Sequence, residues 1–119
     1  MRYAIEACKK VRMIHLALHF LIPAVLTAVF FRKSWPLAYF LMIATMLVDV
    51  DHLLADPIYE PNRCSIGFHP LHELSFVFFY VALFFIPKMP KLRLIAIGLT
   101  VHMVLDTIDC QVTSGVWIY

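Results

Sequence analysis

Imidazole and carboxylate together form the ligand set of zinc, and also of manganese and iron. This chain places both at helical spacings. His15 and His19 are four residues apart in "MIHLALHFLIP" and so share one helix face. The stretch "ATMLVDVDHLLADP" buries Asp49, Asp51 and His52 inside an apolar run. "GFHPLHE" supplies His69, His72 and Glu73, with Pro70 suited to the first position of a helix. In "GLTVHMVLDTIDC", His102, Asp106 and Asp109 fall at i, i+4 and i+7, a single stripe. Gly98 lies on that stripe one turn earlier, where a small residue permits close helix approach. On a regular helix Asp51 points about 200° away from Asp49. One of these two aspartates is therefore expected to support a ligand rather than to bind.

The elements that must carry these groups are greasy. The chain has 119 residues, one domain at most, of which 62% are hydrophobic, against about 45–50% in soluble domains. Mean hydropathy is +0.82. A chain of this size has no interior large enough to hide so much apolar surface from water, so its solvent is lipid. A net charge of +2 speaks against nucleic acid. Three cysteines, Cys8, Cys64 and Cys110, form neither a disulfide framework nor a CxxC zinc signature.

Charge-free runs divide the chain into four helices. The first, between Arg12 and Arg32, has 19 residues, close to the ~20 that cross a bilayer, and is long for the apolar part of a signal peptide. The others, of 15, 14 and 12 residues, reach a spanning length only if the neighbouring Asp, His and Glu residues enter the membrane end too. With short links such as "RKSWP" and "KMPKLR", the expectation is an all-α integral membrane bundle of four antiparallel transmembrane helices. It forms one domain over 1–119, with helices at about 11–31, 35–55, 70–87 and 92–110. Alternating directions then bring the start of helices 1 and 3 and the end of helices 2 and 4 to one membrane face. All six histidines fall there, whereas the opposite face receives Arg32, Lys33, Lys88, Lys91 and Arg93.

An aspartate near the centre of a membrane helix costs about 2.5–3.5 kcal/mol on insertion scales, so such residues are rare and are usually paired or functional. Each group taken singly has a plain structural role: interfacial histidines, a polar helix start, a hydrogen-bonded pair between helices. Four elements placing polar groups at one depth is what a shared site requires. The expected ligands are His19, Asp49, His52, His72, His102 and Asp106, with His15, Asp51, His69 and Asp109 as alternates or supporting partners. Glu73, or else Asp51 or Asp109, is expected to act as general base. The donors exceed one tetrahedral site, so one or two divalent ions are expected, zinc first, then manganese or iron. Two ions suit phosphoester hydrolysis, where they activate water and stabilise the displaced oxygens.

At these residues the chain resembles the bacterial membrane-bound metal-dependent hydrolases, a group of LexA-binding, inner-membrane-associated hydrolases. "DVDH", the histidines opening helix 3, and "HMVLD" carry the likeness. Along "LHFLIP", "FFRKSWPLAYFLMIATMLVDVDHLLADPIYEPNRCSIGFHPLH" and "GLTVHMVLDTIDC" it is similar to a small bacterial membrane family of about this length. The histidine pair of helix 3 departs from the hydrolase pattern, H-x4-H with an Arg-Gly, because His69 and His72 are three apart. The Asp-His and His-x3-Asp elements are also similar to those of zinc-dependent phospholipase C and P1-type nucleases. The resemblance implies a metal hydrolase of the inner membrane.

The expected activity is hydrolysis of a phosphoester in a lipid or lipid-linked substrate, by a protein whose partners are membrane lipids and, compatibly, copies of itself. Two rivals differ in class. A metal or proton carrier needs polar groups at several depths, and the far half of the bundle offers only Pro23, Thr27, Trp35 and Tyr39. A structural scaffold would use the polar groups for helix packing alone. Lys and Arg are balanced five against five between the two faces, with a dense N-terminal cluster leaning towards N-in. If the site faces an oxidising compartment instead, Cys64 and Cys110 lie on one face and can pair.

Overall fold

The computed structural model describes residues 1–60 and 62–119, and Pro61, in the long link, lies outside the described residues. Its elements in chain order are helix α1 (Arg2–Phe30), a short 3-10 turn Arg32–Ser34, helix α2 (Trp35–Ala44), a 3-10 segment Thr45–Leu54, a 3-10 turn Pro70–His72, helix α3 (Leu74–Leu83) and helix α4 (Pro90–Ser114). The described residues are all-helical. Three stretches are long and apolar enough to cross a membrane: Arg2–Phe30, Arg32–Leu54 and Pro90–Ser114. α3 is apolar but has 10 residues, which at 1.5 Å per residue cover about half of a ~30 Å hydrocarbon core.

Two boundaries differ from the expected helices for identifiable reasons. The third helix, expected from 70 to 87, begins at Leu74 because the backbone ahead of it is committed elsewhere. The Leu71 amide donates to Asp51 Oδ2 at 2.8 Å, the His72 carbonyl accepts from the Gly67 amide at 2.9 Å, and Glu73 is extended (φ −65°, ψ 149°). The second helix, expected to be regular to 55, tightens to 3-10 geometry from Thr45, whose hydroxyl donates to the Met42 carbonyl. Ten residues is long for a 3-10 segment, and such runs mark functional or strained sequence. Its threefold period sets Thr45, Val48 and Asp51 on one buried line, and Asp49 and His52 on the next.

α4 is the central element, packing against α1, α2, α3 and the 3-10 segment. Its approach to α2 depends on Gly98: a Cβ there would lie 2.8 Å from Thr45 Cγ2 and 2.9 Å from Met42 Cα. One apolar core, away from the histidines, joins Ala38, Met42 and Leu94 with Leu26, Phe31, Leu41 and Ile97. The other lies beneath the link to α3 and contains Val48, Ile66, Tyr80, Met103 and the bonded pair Cys64–Cys110. Many large apolar side chains lie outside while several ionisable ones lie inside. Leu47, Leu54, Phe78 and Phe85 are more than two-thirds exposed, while His19, Asp51, His69, His72, His102 and Asp106 are buried. That inversion is the pattern of a chain solvated by hydrocarbon.

The link carrying His69 and His72 is tied down at several points. The Cys64–Cys110 bond joins it to α4, the Tyr119 amide donates to the Ile66 carbonyl at 2.8 Å, and Ser114 Oγ donates to the Asn62 carbonyl at 2.7 Å. Tyr80 reaches up from α3 to the Leu71 carbonyl at 3.0 Å. A segment without regular structure thereby acquires fixed side chains.

Candidate metal centre

Three elements converge on one cluster. α4 supplies His102 and Asp106, the 3-10 segment supplies Asp49, and the turn before α3 supplies His72. One donor atom from each lies within 4.8 Å of the others. The separations are His72 Nε2 to Asp49 Oδ1 3.3 Å, His72 Nε2 to Asp106 Oδ2 3.2 Å, His102 Nε2 to Asp49 Oδ1 3.0 Å and His102 Nε2 to Asp106 Oδ2 3.5 Å. Ligands bound tetrahedrally at ~2.0–2.1 Å stand about 3.3–3.4 Å apart. These four side chains therefore have the spacing of a coordination shell, and the cluster can hold a metal ion.

Hydrogen bonding sets the nitrogens for that role. Asp51, buried, takes the Nδ1–H of His72 on Oδ2 at 2.9 Å, which leaves Nε2 directed at Asp49 and Asp106. His72 Nε2 lies within reach of both carboxylates but off the direction an N–H bond requires, and it has no hydrogen-bond partner. His19 repeats the arrangement. Its Nδ1–H donates to the His15 carbonyl at 3.0 Å, and its buried Nε2 is unpartnered 3.4 Å from Asp106 Oδ1. A buried polar atom without a partner costs about 1–3 kcal/mol, and a cation at these positions relieves that cost. His102 Nδ1 is also unpartnered, beside a void of about 10 Å³ that has room for one water.

Asp106 belongs to two groups at once. Its Oδ2 faces His72 and His102, while its Oδ1 faces His15 Nε2 at 3.2 Å and His19 Nε2 at 3.4 Å. His15, His19 and Asp106 form a second set able to hold an ion. Asp51, His52 and His72 form a third, but here the side chains already satisfy one another: His52 Nδ1 lies 3.1 Å from Asp51 Oδ1 and its Nε2 3.2 Å from Ser65 Oγ. His52, expected as a ligand, thus sits in the hydrogen-bonded layer behind the cluster with Asp51. His69 stacks on His52 with ring centroids 3.8 Å apart, and burial together with that neighbour pushes its pKa down to about 4. At neutral pH it is an uncharged wall of the site.

Asp109 lies half-buried on the next turn of α4, 3.9 Å from His15 Nδ1. It lines a cavity of about 320 Å³ that opens over the cluster beside Asp49, His52 and Asp106. Glu73 is not brought to the site: it is exposed at the start of α3 and lies away from that cavity. The sequence placed it next to His72, but its extended backbone turns the chain outward. Arg12, Arg63 and Tyr59 at the cavity mouth were outside the expected site. Arg12 stacks on the Tyr59 ring at 4.1 Å, and Arg63 donates to the carbonyls of Pro57 and Ile58 at 2.9 and 3.1 Å. Tyr59 and Arg63 come to the cavity with the link ahead of α3, which meets α1 at Arg12, and no spacing reports that.

Residues 10–113 match the family of unknown function DUF6122, and the chain belongs to that family. No curated protein and no solved structure matches the chain.

Proposed function

We propose that this protein is a membrane-embedded, metal-dependent hydrolase of phosphoesters, working at the lipid–water boundary of a bacterial inner membrane. The observation that carries the reading is the spacing of Asp49, His72, His102 and Asp106, whose His–Asp donor pairs stand at 3.0–3.5 Å with His72 Nε2 unpartnered among them. These four would hold one ion, and His15, His19 and Asp106 would hold a second. Zinc suits the nitrogen and oxygen donors best, with manganese or iron as alternatives. Divalent ions so placed polarise a phosphoryl oxygen and acidify water.

The chain's own groups supply the rest. Asp51 holds His72 in the tautomer that presents Nε2. Asp109, on the cavity wall 3.9 Å from His15 Nδ1, takes the proton of the attacking water. Arg12 and Arg63 face the cavity from its mouth and hold the phosphate. Lateral packing of four antiparallel helical stretches in the bilayer, of which α3 is shorter than Arg2–Phe30, Arg32–Leu54 and Pro90–Ser114, keeps the cluster at one membrane face. The carrier reading lacks a path, because the core remote from the cluster is made of Ala38, Met42, Leu94 and their apolar neighbours.

The test is hydrolysis of bis(p-nitrophenyl) phosphate and of phosphomonoesters by detergent-purified, zinc- or manganese-loaded protein. Asp109→Asn should keep its metal and lose ~10²–10⁴ in rate. Absence of hydrolysis by the loaded wild type across phosphodiester, phosphomonoester and phospholipid substrates overturns the reading.

A further inference from the structure

α1 and α4 carry matching stripes. Val11, Ile14, His15 and Leu18 on α1, and Leu105, Ile108, Asp109 and Val112 on α4, each fall at i, i+3, i+4 and i+7. Between them runs a groove of about 190 Å³, walled by six aliphatic side chains. Rising numbers on α1 meet falling numbers on α4, as His15 pairs with Asp106 and Asp109 while the His19 ring lies 4.4 Å from that of His102. The two stripes therefore run alongside each other for seven residues, about 10 Å at 1.5 Å per residue. Leu105 is the buried floor and Ile14, Ile108 and Val112 are exposed rims, so the groove opens towards surrounding lipid.

The groove is not closed at the metal end. Val11, His15 and Asp109 line both it and the 320 Å³ polar cavity over the cluster, so the two spaces meet at the His15–Asp109 pair. The cavity's charge sets what can lie there. Asp49, Glu60, Asp106 and Asp109 against Arg12 and Arg63 give a formal charge of −2 with histidines neutral. Two divalent ions would invert that to +2, which attracts a phosphate and repels a cationic head group.

We infer that the α1–α4 groove holds the acyl chain of a lipid phosphate whose head group lies in the cavity, the lipid entering sideways from the bilayer. The inference rests on the hydrolase reading for the sign of the loaded cavity, and it adds the substrate's class and route. A lipid reaching the site this way keeps its chain in an apolar setting while its phosphate moves only from the bilayer surface to the cluster. Ordinary boundary lipid against the same helices has no reason to depend on the metal, and that separates the two cases.

The experiment uses the full chain in bilayer nanodiscs and a lysophosphatidate bearing a diazirine midway along its acyl chain. On irradiation of metal-loaded protein, crosslinks should map to Ile14, Leu18, Ile108 or Val112. They should fall at least tenfold on chelation or with excess inorganic phosphate. Leu18→Trp and Ile108→Trp fill the groove from opposite walls, and each should retain its metal while losing the metal-dependent label. Label equal with and without metal, or unaffected by both variants, means boundary lipid only and overturns the inference. Cleavage of bis(p-nitrophenyl) phosphate without groove labelling would leave the hydrolase standing and remove the groove. Competed labelling without hydrolysis of any phosphoester would keep the groove as a lipid-phosphate site and remove the hydrolase.

Discussion

His72 donates its Nδ1–H to Asp51 Oδ2 across 2.9 Å, with both side chains closed off from solvent. The same carboxylate oxygen accepts the Leu71 amide, and its partner oxygen faces His52. One aspartate thus fixes the turn before α3, the orientation of His72 and the layer behind the cluster. Carboxylates that hold a ligating histidine typically contribute 10–100-fold to metal affinity. Asp51→Asn should therefore weaken metal binding by that order, measured by competition with a chromogenic chelator, although Asp51 is not itself expected to touch the ion. An unchanged affinity would mean that His72 is positioned by packing alone.

Proton and metal compete at His72. Without metal, burial pulls its pKa down, but the close carboxylates of Asp106 and Asp49 and the hydrogen bond to Asp51 outweigh this and push it up to about 10. The folded pKa lies above the ordinary 6.5, so in chelated protein this stabilisation is fully present below pH 6.5 and is lost as pH rises through 10. Metal has to displace that proton, so affinity should rise by roughly tenfold per pH unit across the same window. The gap in Tm between loaded and chelated protein should accordingly widen from pH 7 to pH 9. A gap that is constant or narrows argues that no ion binds at His72.

Cys64 and Cys110 are bonded to each other, and Cys8, on the wall of the metal cavity, is free. Disulfides persist in oxidising compartments, so the cluster and the N-terminus of α1 should face away from the cytoplasm, against the N-in lean of the basic N-terminal cluster. Denatured but unreduced protein from fresh membranes should take up one equivalent of a maleimide, and reduced protein three. Three equivalents before reduction would put the site on the cytoplasmic side.

Much of the site was legible in spacing. The i, i+4 pair His15/His19 and the stripe of His102, Asp106 and Asp109 report a helix face directly, and both point as expected. Gly98 was readable for the same reason and sits where α2 and α4 touch. What spacing could not report is geometry imposed from outside the element. The 3-10 winding from Thr45 sets Asp49 and Asp51 on separate lines, with Asp51 on the buried one beside Val48. The extended backbone at Glu73 removes an acidic residue that adjacency to His72 had nominated. Arg63 reaches the cavity on the link ahead of α3, which long-range contacts fix, the Cys64–Cys110 bond among them.

We propose that the Asp106 carboxylate joins two metal-holding groups, Oδ2 towards His72 and His102 and Oδ1 towards His15 and His19. Metal content of the detergent-purified protein, measured by inductively coupled plasma mass spectrometry after exposure to zinc and removal of loose ions, tests it most directly. The wild type should retain one to two tightly held equivalents, and Asp106→Asn should lose most of that metal. A folded wild type that retains no metal, or an Asp106→Asn protein that retains as much as the wild type, would contradict it.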